Sequence, residues 1–108
     1  MILVDTNVFL EYKKLKLFFS VKELAITRPC LIEVKKFSEE KKDRVLSELI
    51  DTVKVIETKE KIADKSIIEA GKKYKWPVAT YDLRLVRKLN FENVVVLGSS
   101  KAIMRELN

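Results

Sequence analysis

The sequence of 108 residues contains no histidine, no glutamine, one cysteine, two glycines and two prolines. Without histidine the chain cannot form a Ser-His-Asp or Cys-His triad, nor a zinc or iron site with imidazole ligands. Cys30 alone cannot form an internal disulfide or a cysteine-rich metal site, which is typical of a reducing compartment. Any bound metal must therefore have oxygen ligands, and such ligands favour magnesium, manganese or calcium.

Long apolar runs are also missing. The apolar start of the chain lacks the basic segment of a signal peptide, and Asp5 interrupts it. No stretch approaches the roughly 20 apolar residues that span a bilayer. We therefore expect a cytoplasmic protein without a membrane segment. The length and an apolar fraction of 47% predict a single domain over residues 1–108.

Positive charge is in excess. The chain has 22 Lys and Arg against 16 Asp and Glu, so its net charge is +6. This charge favours a polyanionic partner such as nucleic acid.

Short apolar segments alternate with helical patterns along the chain. The predicted strands cover residues 2–4, 24–27, 53–56, 78–80 and 94–97. The predicted helices begin near Asn7, at Pro29, at Ser38 and Thr58 as N-caps, and at Leu83, and the tail from Lys101 is predicted to be helical. We expect the Ser38 helix to reach Ile50 and the Thr58 helix to reach Tyr74. This alternation predicts an α/β domain with a mainly parallel sheet.

Aspartate is rare, with five Asp against 11 Glu, and two of the five follow strands. Asp5 comes directly after the first strand, and Asp82 lies two residues after the fourth. Because the carboxyl ends of parallel strands meet at one edge of a sheet, both carboxylates are expected at the crevice where ligands bind in this architecture. As an alternative, each is simply the N-cap of the helix that follows.

Two further acids border apolar helix faces. Glu33 lies among Leu31, Ile32 and Val34, and Asp64 shares a face with Ile67. A carboxylate beside a core is costly unless it is paired or binds a metal, although a first-turn dipole role for Glu33 and a solvated Asp64 stay open. Asp43 and Asp51 are expected on ordinary charged helix faces.

These acids occur in an ordered set of short motifs. The motifs are Asp5-Thr6-Asn7, Glu33 in the helix after the second strand, Ala63-Asp64-Lys65-Ser66-Ile67, and Thr80-Tyr81-Asp82-Leu83-Arg84-Leu85. Over essentially its whole length the chain resembles the PIN-domain ribonucleases, of the toxin type or the RNA-processing type. The resemblance implies a three-layer α/β/α sandwich with a five-stranded parallel sheet in the order 3-2-1-4-5.

The resemblance also implies an activity and a site. The chain would be a ribonuclease dependent on Mg²⁺ or Mn²⁺, in which a metal-activated water hydrolyses RNA. Its catalytic and metal-binding residues would be Asp5, Glu33, Asp64 and Asp82, supported by Asn7 and Thr80. Exposed cations near these motifs are candidates for binding the phosphates of single-stranded or loop RNA, namely Lys13, Lys36, Arg84 and Arg87.

The biological role stays open between a toxin with an antitoxin partner and a nuclease that processes ribosomal or other RNA. Only about one helix separates Glu33 from the third strand, and this short region favours the RNA-processing role. A homodimer stays one option for the oligomeric state. A PIN-like module that binds RNA or protein without cleavage is the main alternative. Receiver domains and haloacid-dehalogenase phosphatases fit less well, because Asp5 has no acidic neighbour and Asn7 replaces the second Asp of the latter.

Overall fold

The computed structural model describes residues 1–17 and 19–89, together with the backbone of residues 94–96. The strands are β1 (Ile2–Val4), β2 (Leu24–Thr27), β3 (Lys54–Ile56), β4 (Val78–Thr80) and β5 (Val94–Val96). The helices are α1 (Thr6–Phe9), α2 (Tyr12–Leu15), α3 (Arg28–Lys41), α4 (Arg44–Thr52), α5 (Ala63–Tyr74) and α6 (Leu83–Lys88), with a short 3-10 helix at Val21–Glu23. The predicted helix from Lys101 lies outside the described residues.

The strands form one sheet in the order β3-β2-β1-β4-β5, and every pairing is parallel. The register places Leu3 opposite Ala25 on one side and opposite Val78 on the other. All three are fully buried, as expected of a parallel strand between two neighbours. The strand order agrees with the order that the resemblance implied, whereas the three-layer arrangement stays a prediction.

The first predicted helix is two short ones. The backbone leaves the helical region at Glu11, where φ is −97° and ψ is 38°, between α1 and α2. This break lets Phe9, Tyr12 and Leu15 all reach the core, where each is at least nine-tenths buried. Burial of three large apolar side chains thus outweighs the continuous helical pattern.

The N-cap predicted at Ser38 is wrong. Helix α3 begins with Pro29 in its first turn, as predicted, but continues through Ser38 to Lys41. Ser38 is buried, and its hydroxyl donates to the carbonyl of Asp43. Asp43 is the actual cap, because its carboxylate accepts from the Leu46 N–H at 3.0 Å. The assignment of Asp43 to an ordinary helix face is therefore wrong as well.

The cap predicted at Thr58 is also wrong. The Thr58 hydroxyl donates to the carbonyl of Glu60, and α5 begins only at Ala63. The intervening loop is held by Glu69, whose carboxylate accepts from the backbone N–H groups of Lys59 and Glu60. The predicted end of this helix at Tyr74 is confirmed.

The buried apolar residues form one cluster over the sheet and its helices. None of the described helices has the length and apolar character needed to cross a membrane.

Candidate functional site

Asp5 lies at the carboxyl end of β1 and is 8% exposed. Its backbone N–H donates to the carbonyl of Ala79, which fixes this residue against β4. Its Oδ1 accepts from the Thr6 N–H at 2.8 Å, and its Oδ2 accepts from the Thr80 hydroxyl at 2.8 Å. Asp5 is therefore both the N-cap of α1 and a carboxylate held in one orientation by two donors.

Thr80 joins Asp5 to the second strand-end acid. Its hydroxyl donates to Asp5 and accepts from the backbone N–H of Asp82 at 3.0 Å. Asp82 in turn caps α6, with Oδ1 accepting from the N–H of Arg84 at 2.9 Å. The N-cap interpretation and the convergence of the two acids are thus compatible, and both Asp5 and Asp82 lie at the carboxyl edge of the sheet.

The two helical acids border the same edge. Glu33 lies on an exposed part of α3, and its Oε1 accepts from the Thr6 hydroxyl at 2.8 Å, next to Asp5 in the chain. Asp64 is exposed in the first turn of α5. We use the term acidic edge for the set of four carboxylates formed by Asp5, Glu33, Asp64 and Asp82.

Charge repulsion links three members of the acidic edge. Burial raises the pKa of Asp5 above its ordinary value, and the negative charges of Asp64 and Asp82 raise this pKa further. The hydrogen bonds from Thr80 and Thr6 act in the opposite direction, because they stabilise the ionised carboxylate. Asp5 is thus a buried carboxylate in a negative environment.

The sequence did not assign roles to the hydroxyl groups beneath this edge. The Thr27 and Ser66 hydroxyls lie 2.7 Å apart, and both residues are fully buried. Ser66 donates to the carbonyl of Ala63 at 2.6 Å, so the Thr27 hydroxyl is the donor to Ser66. This pair connects the end of β2 to the first turn of α5, which carries Asp64. A serine in the apolar stripe of α5 was the available signal.

Cys30 lies beneath the same edge and is fully buried. Burial raises the pKa of its thiol, and the charges of Asp5 and Glu33 raise it further. The thiol is therefore protonated at neutral pH, a state that makes it a poor nucleophile.

Tyr81 follows β4 directly and precedes Asp82 in the chain. Its hydroxyl donates to the carboxylate of Glu11. Burial, followed by the hydrogen bond and charge of Glu11, raises the pKa of Tyr81 to about 12. This contact fixes the loop after β4 against the segment that joins α1 and α2.

The other predicted site residues are exposed. Asn7 lies in α1, and its side chain makes no hydrogen bond within the described part of the chain, so its supporting role stays a prediction. The candidate cations are all exposed, with Lys13 on α2, Lys36 on α3, and Arg84 and Arg87 on α6. Their binding of nucleic acid likewise stays a prediction.

The acidic edge has the chemistry of a hard-cation site but is not a compact cage. Among the described residues, no three His, Cys, Asp or Glu side chains lie close enough to hold one metal ion. The donors are carboxylate and hydroxyl oxygens, which are the ligand types that Mg²⁺ and Mn²⁺ prefer. Mg²⁺ usually keeps several waters and takes one or two carboxylates, so a site of this kind does not need three ligands in contact.

Comparison with solved structures identifies the fold. The chain is similar to the PIN domain endonuclease Utp24, with a TM-score of 0.62 and 16% sequence identity over 92% of this chain and 86% of that one. It is also similar to PAE2754 from Pyrobaculum aerophilum, with a TM-score of 0.63 and 17% identity over 99% of this chain and 96% of that one.

No protein-family model and no curated protein matches the sequence. The identities to the two structures are low, so the similarity establishes the fold and leaves the activity open. The chain therefore has a PIN-domain-like fold.

Proposed function

We propose that this chain is a divalent-metal-dependent endoribonuclease whose catalytic centre is the acidic edge. The observation that carries the proposal is the setting of Asp5. This carboxylate is buried, is oriented by Thr6 and Thr80, and feels the charges of Asp64 and Asp82. Such an arrangement costs free energy unless a cation offsets it, which is typical of a functional site. The PIN-like fold, shared with an endonuclease, supports the same conclusion.

Asp5 and Asp82 would hold the cation most directly, because Thr80 links them, and Glu33 and Asp64 would complete its surroundings. A bound Mg²⁺ or Mn²⁺ supplies a Lewis acid that polarises the phosphodiester and lowers the pKa of a water molecule. The Thr80 hydroxyl keeps the Oδ2 of Asp5 in place. Thr6 links Asp5 to Glu33, because its backbone N–H donates to Asp5 and its hydroxyl donates to Glu33. These hydrogen bonds act as the outer contacts that orient ligands in metal sites.

Exposed cations would counter the negative charge that the acidic edge presents to RNA. Arg84 and Lys36 are the first candidates because each lies within three residues of an acid of that edge, Asp82 and Glu33 respectively. Both would bind phosphates of the RNA backbone, which positions the RNA on the protein but does not select its base sequence. Single-stranded or loop RNA is the proposed substrate. A homodimer, an antitoxin or a ribosome-related partner each stays a proposal about the assembly in which cleavage occurs.

The test is cleavage of single-stranded RNA with Mg²⁺ or Mn²⁺ by the parent chain, Asp5→Asn and Asp51→Asn. Asp51 is an exposed residue of α4, so its variant carries the same charge change outside the acidic edge. We expect Asp5→Asn to lose more than about 100-fold in rate, beyond the 10- to 100-fold typical of outer contacts. Asp51→Asn should cleave at the rate of the parent.

Two outcomes would contradict the proposal. One is a folded Asp5→Asn variant that cleaves as fast as the parent, and the other is cleavage that persists when a chelator removes the metal. RNA that binds to the parent without being cut would favour the alternative of a non-catalytic PIN-like module.

A further inference from the structure

Two aromatic rings stack at the end of α5 that is remote from Asp64. The rings of Tyr74 and Trp76 have centroids 4.4 Å apart and planes inclined by 16°. Residues two apart point away from each other on a helix, so the stacking requires the chain to turn between them. Lys75 provides this turn, because its φ of 56° is in the left-handed region.

Lysines surround this aromatic pair. The Nζ of Lys73 lies 5.3 Å from the Tyr74 ring centroid, and the Nζ of Lys54 lies 5.9 Å from that of Trp76. Lys72 and Lys75 are neighbours in the chain, and all four lysines are exposed. We use the term aromatic-basic patch for the set formed by Lys54, Lys72, Lys73, Tyr74, Lys75 and Trp76.

Among the described residues, the lysines of the patch form no ion pair. No acidic residue occurs between Glu69 and Asp82 in the sequence. Within residues 1–17 and 19–89 the ion pairs are Lys14 with Glu11 and Arg28 with Glu57, and neither involves a lysine of the patch. Within this part of the chain, no carboxylate neutralises the positive charge of the patch.

The patch is separate from the acidic edge. Lys54 is the first residue of β3, and Trp76 lies just before β4, so both are at the amino edge of the parallel sheet. Asp64 and Tyr74 lie at opposite ends of α5, which separates them by about 15 Å at 1.5 Å per residue. A ligand of the patch is therefore outside the proposed catalytic centre.

We propose that the aromatic-basic patch is a second binding surface, specific for unpaired nucleic acid. The lysines would bind successive phosphates, and a base would stack on the Tyr74–Trp76 pair. The contacts of exposed lysines with aromatic rings are weaker than base stacking, so a base can replace an ammonium group over a ring. The displaced lysine then pairs with a phosphate. This inference is independent of the proposed cleavage.

Unpaired nucleic acid fits the patch better than an acidic protein segment does. An acidic segment would use the lysines but would leave the stacked rings without a planar partner. Duplex nucleic acid would likewise offer phosphates, but its bases are already stacked on each other. A polymer that combines regularly spaced negative charge with free planar bases uses every component of the patch.

Trp76 is the single tryptophan of the chain, so its fluorescence reports on the patch directly. The experiment titrates the full chain with a short oligouridylate in the presence of a chelator, which prevents metal-dependent cleavage. We expect saturable quenching of Trp76, and no comparable quenching by a duplex of equal charge. The variants are Lys72→Gln with Lys73→Gln, and Tyr74→Leu. The control is Lys41→Gln, which removes an exposed lysine from the last turn of α3.

The double lysine variant should bind about tenfold more weakly and lose about 0.7 in the slope of log affinity against log salt for each phosphate contact removed. Tyr74→Leu should weaken binding and leave the salt slope unchanged, because it removes stacking alone. Lys41→Gln should bind like the parent. Melting curves followed by circular dichroism verify that each variant is folded.

Three results would overturn the proposal. In the first, oligouridylate leaves Trp76 fluorescence unchanged. In the second, inorganic polyphosphate quenches the fluorescence as strongly as the oligonucleotide does, and in the third, an acidic peptide quenches it as strongly. The second would mean that charge alone binds there, and the third would mean a protein partner.

Discussion

The two edges of the sheet differ in how their charged groups are held. At the acidic edge, Asp5 and Glu33 each accept from a threonine hydroxyl, Asp82 accepts from a backbone N–H, and Asp5 has two hydrogen-bond donors and little exposure. At the aromatic-basic patch, the ammonium groups of Lys54 and Lys73 lie over rings at 5.9 and 5.3 Å and are exposed. One edge holds carboxylates in fixed orientations, which would suit a small cation, whereas the other consists of long side chains that could adjust to an extended polyanion.

This difference follows from the connections of the parallel sheet. Residues just after strands enter tight turns and helix N-termini, where carboxylates act as caps and lose their freedom. Helices return to the amino edge with their C-terminal ends, where Lys72 and Lys73 complement the helix dipole and remain solvated. We therefore expect changes at the acidic edge to affect catalysis and folding, and changes at the aromatic-basic patch to affect binding alone.

Apart from changes to the four acids themselves, the largest effect is expected from Thr80→Val, which keeps the shape of a fully buried side chain and removes its hydroxyl. Asp5 loses a donor and the Asp82 N–H loses an acceptor, so cleavage should fall about 10- to 100-fold. The free energy of unfolding should fall by about 1–3 kcal/mol, the typical cost of buried polar groups left without partners. Cleavage assays and denaturant melts measure the two effects.

Thr80→Ser is the matched control, because it retains the hydroxyl and should recover most of the activity. Quenching of Trp76 by oligouridylate should be the same in both variants. If Thr80→Val cleaves like the parent, the hydroxyl does not orient the acidic edge. If oligouridylate no longer quenches Trp76 fluorescence in Thr80→Val, the acidic edge and the aromatic-basic patch are not independent.

A smaller effect is expected in the middle of α5, the helix that connects the two edges. Gly71→Ala would place a Cβ 3.3 Å from the Leu89 Cδ2 and 3.6 Å from the Val78 Cγ2. The side-chain end of Leu89 can move aside, so the helix gain of about 1 kcal/mol should exceed the crowding and leave a net stabilisation of about 0.5 kcal/mol. A thermal melt should show a rise of about 2–4 °C. A lower melting temperature would mean that the Leu89 side chain cannot move away from the added Cβ. Cleavage and quenching should not change.

The smallest effect concerns the proton on Tyr81. Because its folded-state pKa of about 12 lies above the ordinary tyrosine value near 10, the folded chain holds this proton more tightly than the unfolded chain does. The free energy of unfolding should therefore fall as pH rises from about 10 through about 12. Ultraviolet titration of tyrosinate should show this step in the parent and lack it in Tyr81→Phe. A step that persists in the variant would assign the high pKa to another tyrosine.

Several elements could be predicted because their signals are local. Pro29 marks the start of α3, the residue before Pro77 cannot continue a helix, and short apolar runs mark the strands. The four acids were singled out by their positions after strands and beside apolar helix faces. The strand order and the catalytic role of these acids came from the resemblance, since no periodicity determines which strands are neighbours. The positions of Asp5 and Asp82 at one edge then follow from the parallel sheet.

The errors in the sequence-based prediction arise where one local sequence pattern is compatible with two different structures. Ser38 followed by two glutamates suits a helix start and also a helix interior, and only the cap made by Asp43 distinguishes them. The hydroxyl contacts of Thr6 and Ser66 depend on residues 27 and 39 positions away, beyond any local pattern. The aromatic pair was missed because its stacking depends on the left-handed conformation of Lys75, which lysine rarely adopts.

The acidic edge is proposed to bind a divalent cation, and calorimetric titration with Mn²⁺ measures this binding itself. We predict that the parent chain binds Mn²⁺, that Mg²⁺ competes, and that Asp5→Asn and Asp82→Asn each weaken the binding by at least about tenfold, while Asp51→Asn binds like the parent. A parent chain that binds no Mn²⁺, or folded Asp5→Asn and Asp82→Asn variants that bind it with unchanged affinity, would contradict the claim.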